Sequence, residues 1–119
     1  MSQHPINIGK LGEKKALLYL KEKNYSIVAK NFKSKFGEID IIAKKDHCLY
    51  FIEVKTRTNI SKGMPYEAVN YTKIKHIEMA AKYYLLKNDY KDYKLKIGVI
   101  SILIINKKTE IQFWDNISY

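Results

Sequence analysis

The sequence predicts an α/β fold, a mixed β-sheet flanked by helices in the order α-β-β-β-α-β-β. Three observations predict it. Apolar residues recur with helical spacing in two segments, one near the start and one past the middle of the chain. Stretches with strand character lie between and after those segments. A helix also separates the third strand from the fourth, so a hairpin is followed by a right-handed crossover and the sheet must be mixed. At 119 residues the chain has the length of a single domain, residues 1–119, built on one core.

The first helix covers Ile8 to Lys23, where Ile8, Leu11, Leu17, Leu18 and Leu20 carry the helical spacing. It ends at Asn24, a residue type suited to a left-handed C-terminal cap. Tyr25 to Phe32 alternates like a strand. Glu38 to Lys44 and Cys48 to Arg57 are two further strands joined by the polar turn Lys45-Asp46-His47. From Pro65 the pattern is helical again, with Ile74, Ile77, Ala81 and Leu85 on one face and Asn70 as cap of the main body. Lys94 to Ile105 is nearly continuous in apolar residues, which suits a central strand covered on both sides. Glu110 to Trp114 reads as a short edge strand.

Hydrophobic residues make up 46% and charged residues 29%, which excludes a chain disordered by composition or embedded in a membrane. The longest apolar run, Ile97 to Ile105, is broken by Gly98 and Ser101 and is far shorter than the ~20 residues that span a bilayer. Met1 to Lys10 has neither a basic nor an apolar leader region, so no signal peptide and a cytoplasmic location are expected. Cys48, the only cysteine, can form no internal disulfide and is expected to fill core. Lysine and arginine number 22 against 12 acidic residues, a net charge of +10, so polyanions are the natural partners. Arg57 is the only arginine. Bidentate reading of guanine is mostly arginine work, so recognition of backbone or shape fits better than recognition of sequence.

Candidate chemistry lies in the central hairpin. Alternation places Phe51, Glu53, Lys55 and Arg57 on one face of their strand, and Glu38, Asp40 and Ile42 on one face of the preceding strand. Ile39, Ile41 and Ala43 take the opposite face. A turn centred on Asp46-His47 sets Asp40 opposite Glu53, about 5 Å apart at Cβ. Two facing carboxylates repel unless a cation or shared proton compensates, and a divalent metal is the simple solution. Oxygen ligands favour Mg2+ or Mn2+, and Lys55 can approach a phosphate held by that ion. Metal-bound water is then easier to deprotonate and can hydrolyse a phosphodiester. The plainer alternative is a solvated hairpin face with an Asp40–Lys55 salt bridge. Glu13 weighs against it, because this carboxylate shares a helix side with Gly9, Leu17 and Leu20 and needs a partner, either a structural lysine or the hairpin cluster.

The residues Gly9 to Leu20, Gly37-Glu38-Ile39-Asp40-Ile41-Ile42, Phe51-Ile52-Glu53-Val54-Lys55-Thr56-Arg57, and Gly63 with Pro65, Glu67, Ala68 and Val69 carry a resemblance that covers nearly the whole chain. They resemble the YraN family of uncharacterised bacterial proteins. That resemblance implies the restriction-endonuclease-like fold of the PD-(D/E)XK nucleases and a distant similarity to archaeal Holliday junction resolvases. Carried over by motif, the catalytic set it implies is Glu13, Asp40, Glu53 and Lys55, with Asp40, Glu53 and Glu13 toward the metal. One position departs from the family pattern: Gly98 stands where an aspartate is usual in the fourth strand.

The expected function is a Mg2+- or Mn2+-dependent endonuclease acting on DNA, with branched or single-stranded DNA among its candidate substrates and a homodimer allowed. Backbone contacts are assigned to Lys30, Lys33, Lys35 and Arg57, with Lys73 as a further phosphate contact. Two rival readings are a non-catalytic nucleic-acid-binding module and a protein-interaction domain on the same fold. Glu38 stands at the start of its strand and is read as solvated, with metal contact as the lesser alternative, while His47 and His76 lack convergent spacing and are read as surface. Among the ten tyrosines, some suit stacking on unpaired bases and others, such as Tyr84, suit the core.

Overall fold

The computed structural model describes residues 7–118; residues 1–6, within the segment where no leader is expected, and residue 119 lie outside the described part. Helix α1 spans Ile8–Glu22. Its start is fixed by Asn7, whose side-chain oxygen accepts from the Lys10 N–H at 3.1 Å and satisfies one of the helix's orphan donors. Just past its end, Asn24 has φ 70°, the left-handed conformation expected there. The buried stripe is Gly12, Ala16 and Leu20, spaced four apart. Leu18, expected to contribute to the apolar spacing, is instead 55% exposed, because two residues from both Ala16 and Leu20 is the far flank of a helix.

Five strands follow: β1 (Ser26–Ser34), β2 (Gly37–Lys45), β3 (Cys48–Arg57), β4 (Lys94–Ile105) and β5 (Lys108–Trp114). They form one sheet in the order β1-β2-β3-β4-β5, antiparallel throughout except for the parallel pair β3 and β4. A 3₁₀ turn (Pro65–Ala68) and helix α2 (Tyr71–Lys87) make the connection between those parallel strands. The architecture is therefore the α/β order α-β-β-β-α-β-β with a mixed sheet, as the sequence predicts.

Turn chemistry sets the register. Asp46 and His47 both have positive φ, 50° and 60°, as a type I′ hairpin turn requires, and they pair Lys45 with Cys48 and thus Ile41 with Ile52. Asn106 and Lys107 repeat the device, with φ 51° and 64°. That turn starts β5 at Lys108, two residues before the expected Glu110, because Ile105 and Lys108 already pair. The second helix also differs from expectation at its start. Pro65 opens only a single 3₁₀ turn, and the α-helix begins afresh after Asn70, whose side chain accepts from the Lys73 N–H at 2.9 Å.

The sheet carries a core on each face. Under α2, Ile42, Leu49, Phe51, Ile97 and Val99 meet Ile74, Ile77, Ala81 and Tyr84. Under α1, Ile41, Ala43, Ile52, Ile100 and Ile102 meet Ala16 and Leu20. Burial of each large side chain contributes about 1.5–3 kcal/mol, so the central strands β3 and β4, covered on both faces, anchor the fold. Cys48 is half-buried at the start of β3 rather than deep in the core, since the strand emerges there from its turn. No helix among the described residues is long and apolar enough to cross a membrane.

Candidate functional site

Asp40 sits where the pleat of β2 is interrupted. Strict alternation would place Ile39 with Ile41, yet Ile39 belongs to the α2-side core and Ile41 to the α1-side core. Asp40 and Asn31 fall between the paired positions Lys30↔Ile41 and Phe32↔Ile39. Asn31 has φ 52°, a left-handed conformation that asparagine tolerates better than most residues and that breaks the regular strand. The β2–β3 ladder ends at Ile41↔Ile52, and just beyond it the Asp40 carboxylate accepts the Val54 N–H through Oδ2 at 2.8 Å, which brings its charge to bear on Glu53.

Glu53 is buried, with only 4% of its surface exposed. Its Oε1 lies 3.5 Å from Lys55 Nζ and 3.6 Å from Lys73 Nζ, one ammonium from its own strand and one from the first turn of α2. Its Oε2 is buried with no hydrogen-bond partner among the described residues. Burial raises the Glu53 pKa above its ordinary range, the Asp40 charge raises it further, and Lys73 and Lys55 pull it back in part. Burial likewise raises the Asp40 pKa against the lowering effect of the Val54 amide. The solvated hairpin face and the Asp40–Lys55 pair considered from sequence are not what forms, since the carboxylate that Lys55 meets is the buried Glu53.

Helix α1 delivers Glu13. The helix can touch β3 only because residue 12 is glycine: a Cβ there would stand 1.8 Å from Thr56 Oγ1. With its amide nitrogen turned toward them, Asn31 donates to Glu13 Oε1 at 2.8 Å and to Glu38 Oε1 at 3.2 Å. The Glu13 pKa is raised by burial and by the charges of Asp40 and Glu38. Glu13, Asp40, Lys10, Lys14, Lys30 and Asn31 line an open cavity of about 320 Å³ on the α1 side of the hairpin.

These residues suit a hard divalent cation. Glu53 Oε2 is an orphaned buried acceptor beside a second carboxylate, and both acids are costly to ionise without a compensating charge. No group of three or more His, Cys, Asp or Glu that could hold a metal occurs among the described residues. Asp40 and Glu53 would be the carboxylates to hold such an ion, a pair that fits Mg2+, which keeps several waters and takes only one or two carboxylates.

The expected phosphate contacts separate into groups. Lys73 and Lys30 lie beside the acids, the first on Glu53 and the second in the Glu13 cavity. Lys33 is exposed on β1 and Lys35 in the turn after it, with Lys35 Nζ 5.2 Å from the centre of the Phe36 ring. Arg57 is committed elsewhere, donating through Nη1 to the carbonyls of Lys62 (2.6 Å) and Gly63 (3.1 Å) and pinning the loop that follows β3. Sequence reading passed over Asn31, Gly12, Lys10 and Lys14. Lys10 could have been found by its spacing, three residues before Glu13 on the same helix side, and Asn31 by its poor fit to a strand.

Residues 12–102 match the sequence profile of the uncharacterised protein family UPF0102, a span that holds Glu13, Asp40, Glu53, Lys55 and Lys73. The chain belongs to UPF0102. The family is the one that the YraN resemblance names. A UPF0102 protein of Caldanaerobacter subterraneus subsp. tengcongensis is 39% identical over 105 residues, covering 88% of this chain and 86% of that protein. Another from Alkaliphilus oremlandii is 42% identical over 92% of this chain and 95% of its own length. A third, from Clostridioides difficile, is 42% identical over 84% of this chain and 88% of its own. UPF0102 is an uncharacterised family, so membership carries no activity with it and the chemistry must be argued from the site.

Proposed function

We propose that this UPF0102 protein is a metal-dependent nuclease that hydrolyses DNA phosphodiester bonds, with Mg2+ or Mn2+ held by Asp40 and Glu53. The observation that carries this reading is the Glu53 carboxylate: buried, clasped on one oxygen by two ammonium groups, and unpartnered on the other. A purely structural acid has no need of that orphaned oxygen, which costs about 1–3 kcal/mol as an unsatisfied buried acceptor.

When bound, the ion supplies Lewis acidity and lowers the pKa of its water. The protein's own residues supply the rest. Asp40 presents one oxygen, because the Val54 amide fixes Oδ2 and thereby the rotation of the carboxylate. Lys55 and Lys73, each with a side chain about one-third exposed, stand between Glu53 and solvent and can meet a phosphate from two directions. Their charges are spent best where negative charge grows in the transition state. Glu13, oriented by the Asn31 amide and with its pKa raised by burial, stands at the α1 edge of the site, where a carboxyl group can exchange a proton with water. The +10 net charge draws DNA to the domain, and Lys30, Lys33 and Lys35 extend the contact along β1. Arg57 acts by holding the loop after β3.

Cleavage of duplex, branched and single-stranded DNA with Mg2+ or Mn2+ tests this reading, with Lys55→Met as control. The variant should keep its fold and most of its DNA affinity and lose cleavage by about 10² or more. Equal rates for variant and wild type would remove Lys55 from catalysis. Salt-dependent binding with no metal-dependent cleavage of any of the three would transfer the protein to the non-catalytic nucleic-acid-binding class.

A further inference from the structure

A row of paired residues leads away from the acids across the sheet. Glu53 pairs with Val99 on β4, and Val99 pairs with Trp114 at the end of β5. Directly paired residues project to the same face, so Trp114, the only tryptophan, stands on the α2 side two strands from Glu53, a separation of about 10 Å. Tyr66 of the 3₁₀ turn meets it there, with ring centres 5.1 Å apart and planes inclined at 59°. Each residue is 38% exposed. With Val69, Val99 and Ile117 they line a pocket of about 210 Å³.

The pair is mounted rigidly on the same strands as the acids. The Tyr66 N–H donates to Ser101 Oγ at 3.1 Å, and Ser101 is a buried polar residue that pairs with Lys55 across β3 and β4. One hydrogen bond, from the Tyr66 backbone to the Ser101 hydroxyl, thus ties the aromatic turn to the strand position beside the candidate catalytic lysine. Lys55 and Lys73 lie at one end of this row and two partly exposed aromatic rings at the other. Cations for phosphate and a neighbouring aromatic surface for a base are the combination by which single strands are held, and a stacked duplex base cannot reach such a pocket.

We propose that Tyr66 and Trp114 form a stacking site for an unpaired base of DNA whose neighbouring phosphate lies at Asp40, Glu53, Lys55 and Lys73. The inference rests on the reading of those four residues as a DNA site and gives it a substrate class, DNA with an unpaired nucleotide next to the scissile bond. In the Tyr66→Leu variant the backbone bond to Ser101 is retained and only the ring is lost, and Trp114 serves as the built-in reporter.

The test is titration of the full chain with oligothymidylate and with a blunt duplex of equal phosphate number. It is done in chelator, so that no cleavage intervenes, at one fixed salt concentration. Trp114 fluorescence should be quenched by the single strand and little changed by the duplex. Tyr66→Leu should weaken single-strand binding by about fivefold to a hundredfold, the range for loss of one stacked base, and leave duplex binding within about twofold. Trp114→Phe, which keeps an aromatic ring, should bind single strands better than Trp114→Leu does. Equal quenching by both DNAs, or equal loss of both affinities in Tyr66→Leu, overturns the stacking site. Metal-dependent cleavage that survives in Tyr66→Leu with an unchanged preference among DNA structures overturns it as well, while sparing the nuclease reading. Selective quenching by a wild type that cleaves nothing has the opposite meaning, sparing the stacking site and removing the nuclease.

Discussion

Replacement of Glu53 by glutamine should stabilise the metal-free protein at neutral pH. Glu53 is 4% exposed, its Oε2 has no partner among the described residues, and burial together with the Asp40 charge raises its pKa from the ordinary value of 4.5. The fold therefore binds this proton more tightly than the unfolded chain does. The contribution of Glu53 to stability then falls as pH climbs from about 4.5 through its folded pKa and is fully present below that range. Glutamine keeps an oxygen for Lys55 and Lys73, removes the buried charge, and places an N–H₂ group where the orphaned oxygen was. The gain is on the order of 1–3 kcal/mol, the cost of one unsatisfied buried group. Lys55 and Lys73 lose their ionic partner, but at about one-third exposure they are solvated and that loss is small. In a domain of this size 1 kcal/mol moves Tm by roughly 3–6 °C. Thermal melts in chelator should put Glu53→Gln above wild type at pH 7.5 and close to it at pH 4. Added Mn2+ should raise the wild-type Tm and leave the variant where it was. A variant less stable than wild type at pH 7.5, or offset equally at both pH values, would refute the account of Glu53 as a destabilised functional acid.

Three other outcomes follow from the same geometry. Asp40→Asn should weaken Mn2+ binding by at least about tenfold in calorimetry, and an unchanged affinity would take Asp40 out of the ion's coordination. Gly12→Ala should lower stability by about 1–3 kcal/mol in chemical denaturation, although alanine normally favours a helix interior, because the added Cβ meets Thr56. A neutral result would mean that α1 does not need its close approach to β3. Duplex affinity should fall linearly in log salt, with Lys33→Gln reducing the slope by about one, and a flat salt response would exclude DNA as the main partner.

The strand register and the approach of Asp40 to Glu53 were legible in the sequence because they depend on local rules, a two-residue turn and the alternation that follows it. Helix α2 was legible for the same reason, since Ile74, Ile77 and Ala81 at helical spacing are all buried. The features that depend on distant neighbours were not legible. A residue in a left-handed conformation inside a strand, as at Asn31, reflects what the surrounding structure requires more than what the residue prefers. It reversed the side taken by Ile39. Lys73 reaches Glu53 only because the chain breaks after the 3₁₀ turn and starts α2 at Tyr71, and Arg57 is tied up by carbonyls of a loop without periodicity. Alternation along the hairpin located Asp40 and Glu53 but could not show that one Glu53 oxygen is unpartnered, which is a property of packing.

Asn31 also bears on how copies of the protein can meet. Strand β1 is an outer strand of the sheet, and a straight outer strand offers a template on which another chain can add and aggregation can begin. Within its nine residues β1 carries a register shift between Ile27 and Ala29 and the left-handed Asn31, and Lys30 and Lys33 project into solvent. A second strand cannot zip along a margin so broken and so charged. The residue that turns Asp40 out of the regular pleat thus also guards the sheet against extension, and self-association of this chain would have to use a surface other than β1.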